Sequence, residues 1–553
     1  MTPTKQINIQ RALTLTGAFN FLYSCAKSCL LPFLTLYFRQ LGLTPEMTGI
    51  IMGTKHLISL VWCPLASLMA NFYNKRRAVV NGSLACSAAV ALVLLLFPPI
   101  DLHANISLCN ASNPRSAPTS MESQPQINSP TVCQPVVTVP ANTSQLPQNS
   151  TAESKTSSSA VLHTTTLTLG RNKRSEIKLE QEQHIEELEF LGSLKVMDTQ
   201  HQLFFLVLIA VSVWELVAAP LQWTADDGLY DYLDFADASD HYSGTGVWRL
   251  VGAACGVGGA GLLVSQLNCF IFGQTSRSAV HFLCYAGLSV LALPIASFLP
   301  IYVNKQQARA NRLLKAVQLV RGSQRALLCA VTALLVGMAL ATVDNFLLWH
   351  MQDHNSTELH MGVCLGIACL SQAAFPLLAA RLSRLLISDR VLTLATTTLA
   401  LQFFYYSFLW GAWAVLPAQL FSCLSCGAFW WAVRVQGDNV ATPGTERSVK
   451  RVYDALIFDL GRAMGSFAGG FVVHSCGLAW LFRAVAMVLM VWCVCLPLLQ
   501  WNAPRQQRIN YSRLLTADTS EASDSESEQE RDWLNKAMQD NGRNNNYGRR
   551  PNY

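Results

Sequence analysis

Apolar blocks recur along almost the whole chain, and no other feature restricts the fold so tightly. A hydrocarbon core of roughly 30 Å takes about 20 apolar residues of helix to cross, and only a helix or a closed barrel satisfies every backbone group in lipid. The chain supplies such blocks at 12–38, 46–70, 78–100, 202–223, 247–272, 279–302, 326–350, 359–380, 391–411, 413–433, 454–474 and 479–501. A composition of 51% hydrophobic and 13% charged residues over 553 positions fits the same class. The pattern predicts an all-α membrane protein of twelve transmembrane helices in two sets of six. The first block is longer than a signal-peptide core and lacks a small-residue cleavage site, so it reads as a retained helix.

The predicted segments are helices one to three in 1–100, a long outer loop in 101–200, helices four to six in 201–303, a basic linker in 304–325, helices seven to twelve in 326–501 and a tail in 502–553. The linker holds Lys305, Arg309, Arg312, Lys315, Arg321 and Arg325 with apolar Leu313, Leu314, Val317 and Leu319 between them, the pattern of an interfacial amphipathic helix. Lys and Arg in short loops resist translocation. Placing both termini in the cytoplasm puts Lys5, Arg11, Lys75, Arg76, Arg77, the linker bases, Arg381, Arg384, Arg390, Arg434, Arg447, Lys450 and Arg451 inside, and leaves only Arg39 and Arg277 in short outer loops. The predicted inner connection after helix four dissents with Asp226, Asp227, Asp231, Asp234, Asp237 and Asp240, but acids count little in this rule. Whether the membrane is the plasma membrane or an internal one is not encoded in these features.

The sequons at Asn105, Asn110, Asn142, Asn149 and Asn355 all fall in predicted outer loops and are candidate glycosylation sites. The outer loop and the tail are too poor in apolar residues to build a core and are expected to be disordered. Cys109 and Cys133 are a candidate disulfide in an oxidising lumen. Most other cysteines lie inside apolar blocks, where a thiol is a small hydrophobe; Cys423 and Cys426 have metal-like spacing without further ligands nearby, so no metal is expected.

An ionisable group deep in lipid is costly and marks a pathway by default. Lys27 in helix one, Glu215 in helix four and Asp344 in helix seven are such groups. At 1.5 Å per residue, Lys27 lies about 3 Å above the midplane, Glu215 a similar distance below it and Asp344 about 9 Å above. Glu215 is expected to exchange a proton or solute against pairing with Lys27, a fixed structural ion pair being the alternative. Lys55 and His56 in helix two are further candidates, against a snorkelling lysine. Asp459 and Arg462, three apart, are expected to pair along one face of helix eleven. The absence of a GxxxxGKS or GxxxxGKT phosphate loop, of a metal-spaced His and Cys cluster and of a nucleophile with a base argues against an ATP-driven pump or a membrane enzyme, and no cofactor is expected. The net charge of +6 resides largely in helix-end loops and does not call for nucleic acid.

The stretch Leu31-Pro32-Phe33-Leu34-Thr35-Leu36-Tyr37-Phe38-Arg39-Gln40-Leu41-Gly42-Leu43-Thr44-Pro45, then Gly53-Thr54-Lys55-His56 with Pro64, Asn345-Phe346-Leu347-Leu348-Trp349-His350 and Leu460-Gly461-Arg462-Ala463-Met464-Gly465-Ser466-Phe467-Ala468-Gly469-Gly470, resembles the major facilitator superfamily in its domain-containing protein 6 branch. The resemblance implies the major facilitator fold of two six-helix bundles, alternating access and kinship with proton-coupled sugar and nucleoside symporters, and supplies no substrate. Asn71 departs from it, standing where the superfamily's loop motif usually has an aspartate. The residues together point to a secondary transporter of a small polar solute, with a proton as the candidate coupling ion. The rival is a non-transporting receptor or adaptor that binds partners through its outer loop.

Overall fold

The computed structural model describes residues 9–73, 75–96, 169–236, 244–267, 270–271, 275–276, 278–299, 309–442 and 444–504. The chain folds into α1 (Ile9–Gln40), α2 (Pro45–Phe72), α3 (Arg76–Val93), α4 (Leu169–Phe235), α5 (Thr245–Gln266), α6 (Ala279–Ser297), α7 (Arg309–Gly322), α8 (Gln324–Asp353), α9 (Glu358–Ala373), α10 (Phe375–Leu385), α11 (Ser388–Tyr406), α12 (Leu416–Val440), α13 (Glu446–Cys476) and α14 (Leu478–Asn502). A hairpin of two-residue strands, Phe270–Ile271 against Thr275–Ser276, lies between α5 and α6. Among the described residues ten helices are long and apolar enough to cross a membrane, and α9 and α10, bent by 46°, form an eleventh as a pair. The remaining expected helix, α11, has a threonine-rich stretch. Its Thr393, Thr396, Thr397 and Thr398 hydroxyls each donate to the carbonyl four residues earlier, so they are satisfied within the helix.

Local chemistry sets the ends. The α1 helix stops at Gly42, whose φ of 83° is open to glycine and whose N–H donates to the Arg39 carbonyl while Leu43 N–H reaches back to Phe38. Thr44 then accepts from the Met47 N–H and Pro45 opens α2, a cap and a pre-set first turn in two residues. Gly477, at φ 89°, separates α13 from α14.

The packing repeats. In the first half α1 packs on α5 and α6, and α4 and α6 both pack on α3; in the second half α8 packs on α13 and α14, and α12 and α14 both pack on α11. The same pairings six helices apart make two equivalent bundles. They meet where α5 lies against α9, where α2 lies against α13, and where the C-terminal part of α8 lies against α1. Glycines set the α2–α13 seam: a Cβ on Gly49 would stand 2.6 Å from the Ser466 carbonyl and 2.9 Å from the Gly470 Cα. Within the first half, a Cβ on Gly256 would stand 2.2 Å from the Cys25 carbonyl. Linker helix α7 buries Ala316 and Val320 and exposes Leu313, Leu314 and Val317, an amphipathic split.

Both boundaries of helix four differ from the sequence expectation: α4 begins at Leu169, inside the segment expected to be disordered loop, and it ends later than its apolar block. The apolar block of helix four ends near 223, yet α4 continues to Phe235, because Asp226, Asp227 and Asp231 find cationic partners. Asn105, Asn110, Asn142, Asn149, Cys109, Cys133, Lys305 and the tail beyond 504 lie outside the described residues.

Candidate functional site

The candidate charges converge in the middle of the bundle. Glu215 of α4 is buried and its Oε2 lies 3.6 Å from Nζ of Lys55 on α2, which is also buried. The indole of Trp214 lies under the same ammonium, 6.0 Å from ring centre to Nζ. Lys27 of α1 is half-buried, its Nζ 5.8 Å from the centre of the Tyr23 ring. It interacts electrostatically with Glu215 and Lys55 and with Arg462 of the opposite half. Sequence reading pairs Glu215 with Lys27; in this conformation its ion-pair partner is Lys55, and Lys27 has no carboxylate in contact among the described residues.

The second half answers across the seam. His56 is buried and within the electrostatic reach of Arg462 of α13, and Ser59 of α2 lies 3.4 Å from Cys63. Asp459 in turn feels Glu215, Lys55 and Arg462. Asp344 of α8 stands 3.2 Å from Nε of Arg462, with 42% of its side chain exposed. The expected pairing of Asp459 with Arg462 is therefore replaced by a pair between α8 and α13. That pair is poorly aligned, since the buried Arg462 Nε has no hydrogen-bond acceptor. Beside it Asn345 donates to Ser466 at 2.8 Å, and Ser466 donates to the Arg462 carbonyl.

These residues stand on unusual backbone. Val343–Leu347 in α8, Cys423–Gly427 in α12 and Ala455–Gly461 in α13 are π-helical turns, which are rare and cluster at functional positions. They carry Asp344, Asn345 and Asp459 and, in α12, Ser425, whose hydroxyl donates to Gln402 at 2.8 Å. Cys423 and Cys426 are buried free thiols in the second of these turns. Among the described residues no three metal-ligating side chains are grouped.

Both ends of the path between the halves are bridged. At the end where α1 begins, Arg447 and Arg451 of α13 both contact Asp227 of α4, and Arg447 also reaches Asp231 at 3.1 Å. Asp231 is shared with Arg76 of α3 at 2.9 Å, Asp227 accepts from Ser67 at 2.9 Å, and Asp226 pairs with Arg249 of α5 at 3.3 Å. The rings of Trp223 and Tyr230 lie under Arg451 and Arg447. At the other end Arg39 of α1 meets Asp353 of α8 at 2.7 Å, Trp349 donates to the Thr35 carbonyl, and His474 lies 3.2 Å from Glu46. Sequence reading missed the first of these seals and treated its aspartates as a dissenting loop. The signal was available: Asp227 and Asp231 are four apart, as are Arg447 and Arg451, so each pair shares a helix face.

A family model described as the MFS_1 like family matches residues 13–484. The chain belongs to the major facilitator superfamily. The superfamily member from Danio rerio described as major facilitator superfamily domain-containing protein 6-like is 48% identical over 546 residues, covering 99% of this chain and 98% of its own length. The Homo sapiens protein of the same description is 36% identical, covering 98% and 99%. Among solved structures, the nucleoside transporter NupG superposes with a TM-score of 0.57 at 12% identity over 88% of this chain and 98% of its own. A POT family transporter in complex with 5-aminolevulinic acid gives 0.53 at 9% identity, over 89% and 97%. At such identities the likeness is one of fold, and it covers both six-helix units.

Proposed function

We propose that this chain is a secondary carrier that moves a small polar solute by alternating access, with Glu215, Lys55, Lys27, His56 and Asp344 around the central site and a proton as coupling ion. The observation that carries the reading is the buried Lys55–Glu215 pair, set against charged residues of the opposite half and enclosed between two bridged ends. Dehydrating two ions costs several kcal/mol each, and the mutual attraction does not reliably repay it, so such a pair is poor stabilising material. An exchangeable partner gives it a use: Lys27 is a second cation within the field of Glu215.

In this scheme the halves rock about the α2–α13 and α5–α9 seams. Opening one end replaces its ion pairs by water while the other end stays bridged, so the two seals alternate. In this reading the end bearing Arg447, Arg451 and Arg76 is the cytoplasmic one, with the termini, and Asn355 is on the outer side; the basic loops support that orientation. The site binds and releases; no chemistry on the solute is required.

The test is uptake of a mixture of small metabolites into proteoliposomes with and without a pH gradient, read by mass spectrometry. Wild-type protein should accumulate a subset of the mixture, and Glu215→Gln should abolish that accumulation while inserting in normal amount. Undiminished uptake by Glu215→Gln would remove the carboxylate from the mechanism.

A further inference from the structure

The central charges are divided unevenly between the halves. The first half supplies two ammonium groups, Lys27 and Lys55, against the single carboxylate of Glu215; the second supplies two carboxylates, Asp344 and Asp459, against the single guanidinium of Arg462. By charge count, the first half keeps one positive charge in excess and the second half one negative charge. Lys55 is held by Glu215, so Lys27 is the surplus cation, facing an aromatic ring and no carboxylate among the described residues. In the second half the one guanidinium serves two carboxylates: Arg462 stands 3.2 Å from Asp344 without hydrogen-bond alignment and also acts on Asp459, so Asp344, 42% exposed, keeps capacity for a second cation. These central residues therefore carry an excess positive charge on the α1 side and an excess negative charge on the α8 side, and together they are neutral.

We propose that the transported solute is a zwitterion, an amino acid or short peptide, whose carboxylate is taken by Lys27 and whose ammonium group is taken by Asp344. This rests on the carrier reading above and narrows it. A net anion would add to the excess negative charge of the second half, and a net cation to the excess positive charge of the first; in a low-dielectric site both are disfavoured. A neutral sugar or nucleoside would leave both surplus charges desolvated without counter-charges. A zwitterion satisfies both and preserves the neutrality of the site. Bound with one end on each half, it draws the halves together, which is the contact a rocking carrier needs before its seals exchange. Its carboxylate on Lys27 also keeps that lysine from Glu215, so solute occupancy and the Glu215 pairing become linked.

The experiment offers wild-type proteoliposomes four separate radiolabelled pools: neutral amino acids with dipeptides, hexoses with nucleosides, monocarboxylates, and primary amines. The first pool alone should accumulate. Lys27→Gln and Asp344→Asn should each lower its uptake about tenfold or more, the equivalent of one lost charge-assisted contact at about 1.4 kcal/mol. Lys27→Arg and Asp344→Glu, which keep the charges, should retain most of it and control for folding. Accumulation of the hexose and nucleoside, monocarboxylate or amine pool instead overturns the zwitterion while the carrier reading stands. Equal uptake of the first pool by Lys27→Gln and wild type overturns the assignment of its carboxylate. Failure of every pool to accumulate above protein-free liposomes overturns both readings.

Discussion

Replacing Asp227 by asparagine should open the ionic seal between α4 and α13. Its carboxylate, 1% exposed, contacts Arg447 and Arg451 from the opposite half and accepts from Ser67. Removing one partner of a buried ion pair typically costs about 3–5 kcal/mol, since the remaining charge stays desolvated. The lower figure applies here, because Asp231 still holds Arg447 at 3.1 Å. At about 1.4 kcal/mol per tenfold, a loss of about 3 kcal/mol shifts the balance between sealed and open about a hundredfold. The shift falls on the conformation in which α13 approaches α4, since only that conformation contains the contact. Spin labels on unnatural residues at Phe235 and Lys450, both solvent-exposed, would report the distance across the seal by double electron–electron resonance. Wild-type protein should show a dominant short distance, and Asp227→Asn a dominant longer one. An unchanged distribution in a folded variant would refute the claim that this network holds the halves together.

Other perturbations separate strong contacts from weak ones. Arg39→Ala should change thermal stability by less than about 1 kcal/mol, because Arg39 and Asp353 are both well exposed and such pairs contribute little; a melting curve in detergent checks this. Gly256→Ala should destabilise by about 1–3 kcal/mol, since its Cβ would stand 2.2 Å from the Cys25 carbonyl and α5 would have to leave α1; the same melt reads it, with Gly287→Ala, in open space, as control. Asn355, exposed at a φ of 60°, should carry glycan in a eukaryotic host, seen as a gel shift that glycosidase treatment removes and that Asn355→Gln reduces.

The helices were legible because lipid imposes one requirement on every spanning residue, and the apolar blocks from Ala12 to Trp501 record it directly. Relative depth was legible too, since rise per residue is fixed: Lys27 and Glu215 come out within about 6 Å of each other along the membrane normal. Azimuth was not. A residue's direction turns by about 100° at each step, so the sequence could not choose between Lys27 and Lys55 as the partner of Glu215. Arg462 shows the same limit in sharper form. It is three positions from Asp459, the spacing of neighbours on a regular helix, but Asp459 lies inside the π-helical turn Ala455–Gly461, Arg462 follows it, and Arg462 meets Asp344 on α8 instead. The end of α4 was missed for another reason. Asp226, Asp227 and Asp231 look like loop until their counter-charges are known, and Arg447 and Arg451 lie more than two hundred positions further along.

The π-helical turns fall on only one side of the molecule: among the described residues all three belong to the second six-helix unit. A helix wound with one residue of slack can pass that slack to an adjacent position by exchanging hydrogen bonds singly, without exposing a run of backbone to lipid. The two units are thus matched in layout and unequal in compliance. In the proposed carrier, it is therefore the second unit whose backbone has the slack to adjust to solutes of different length.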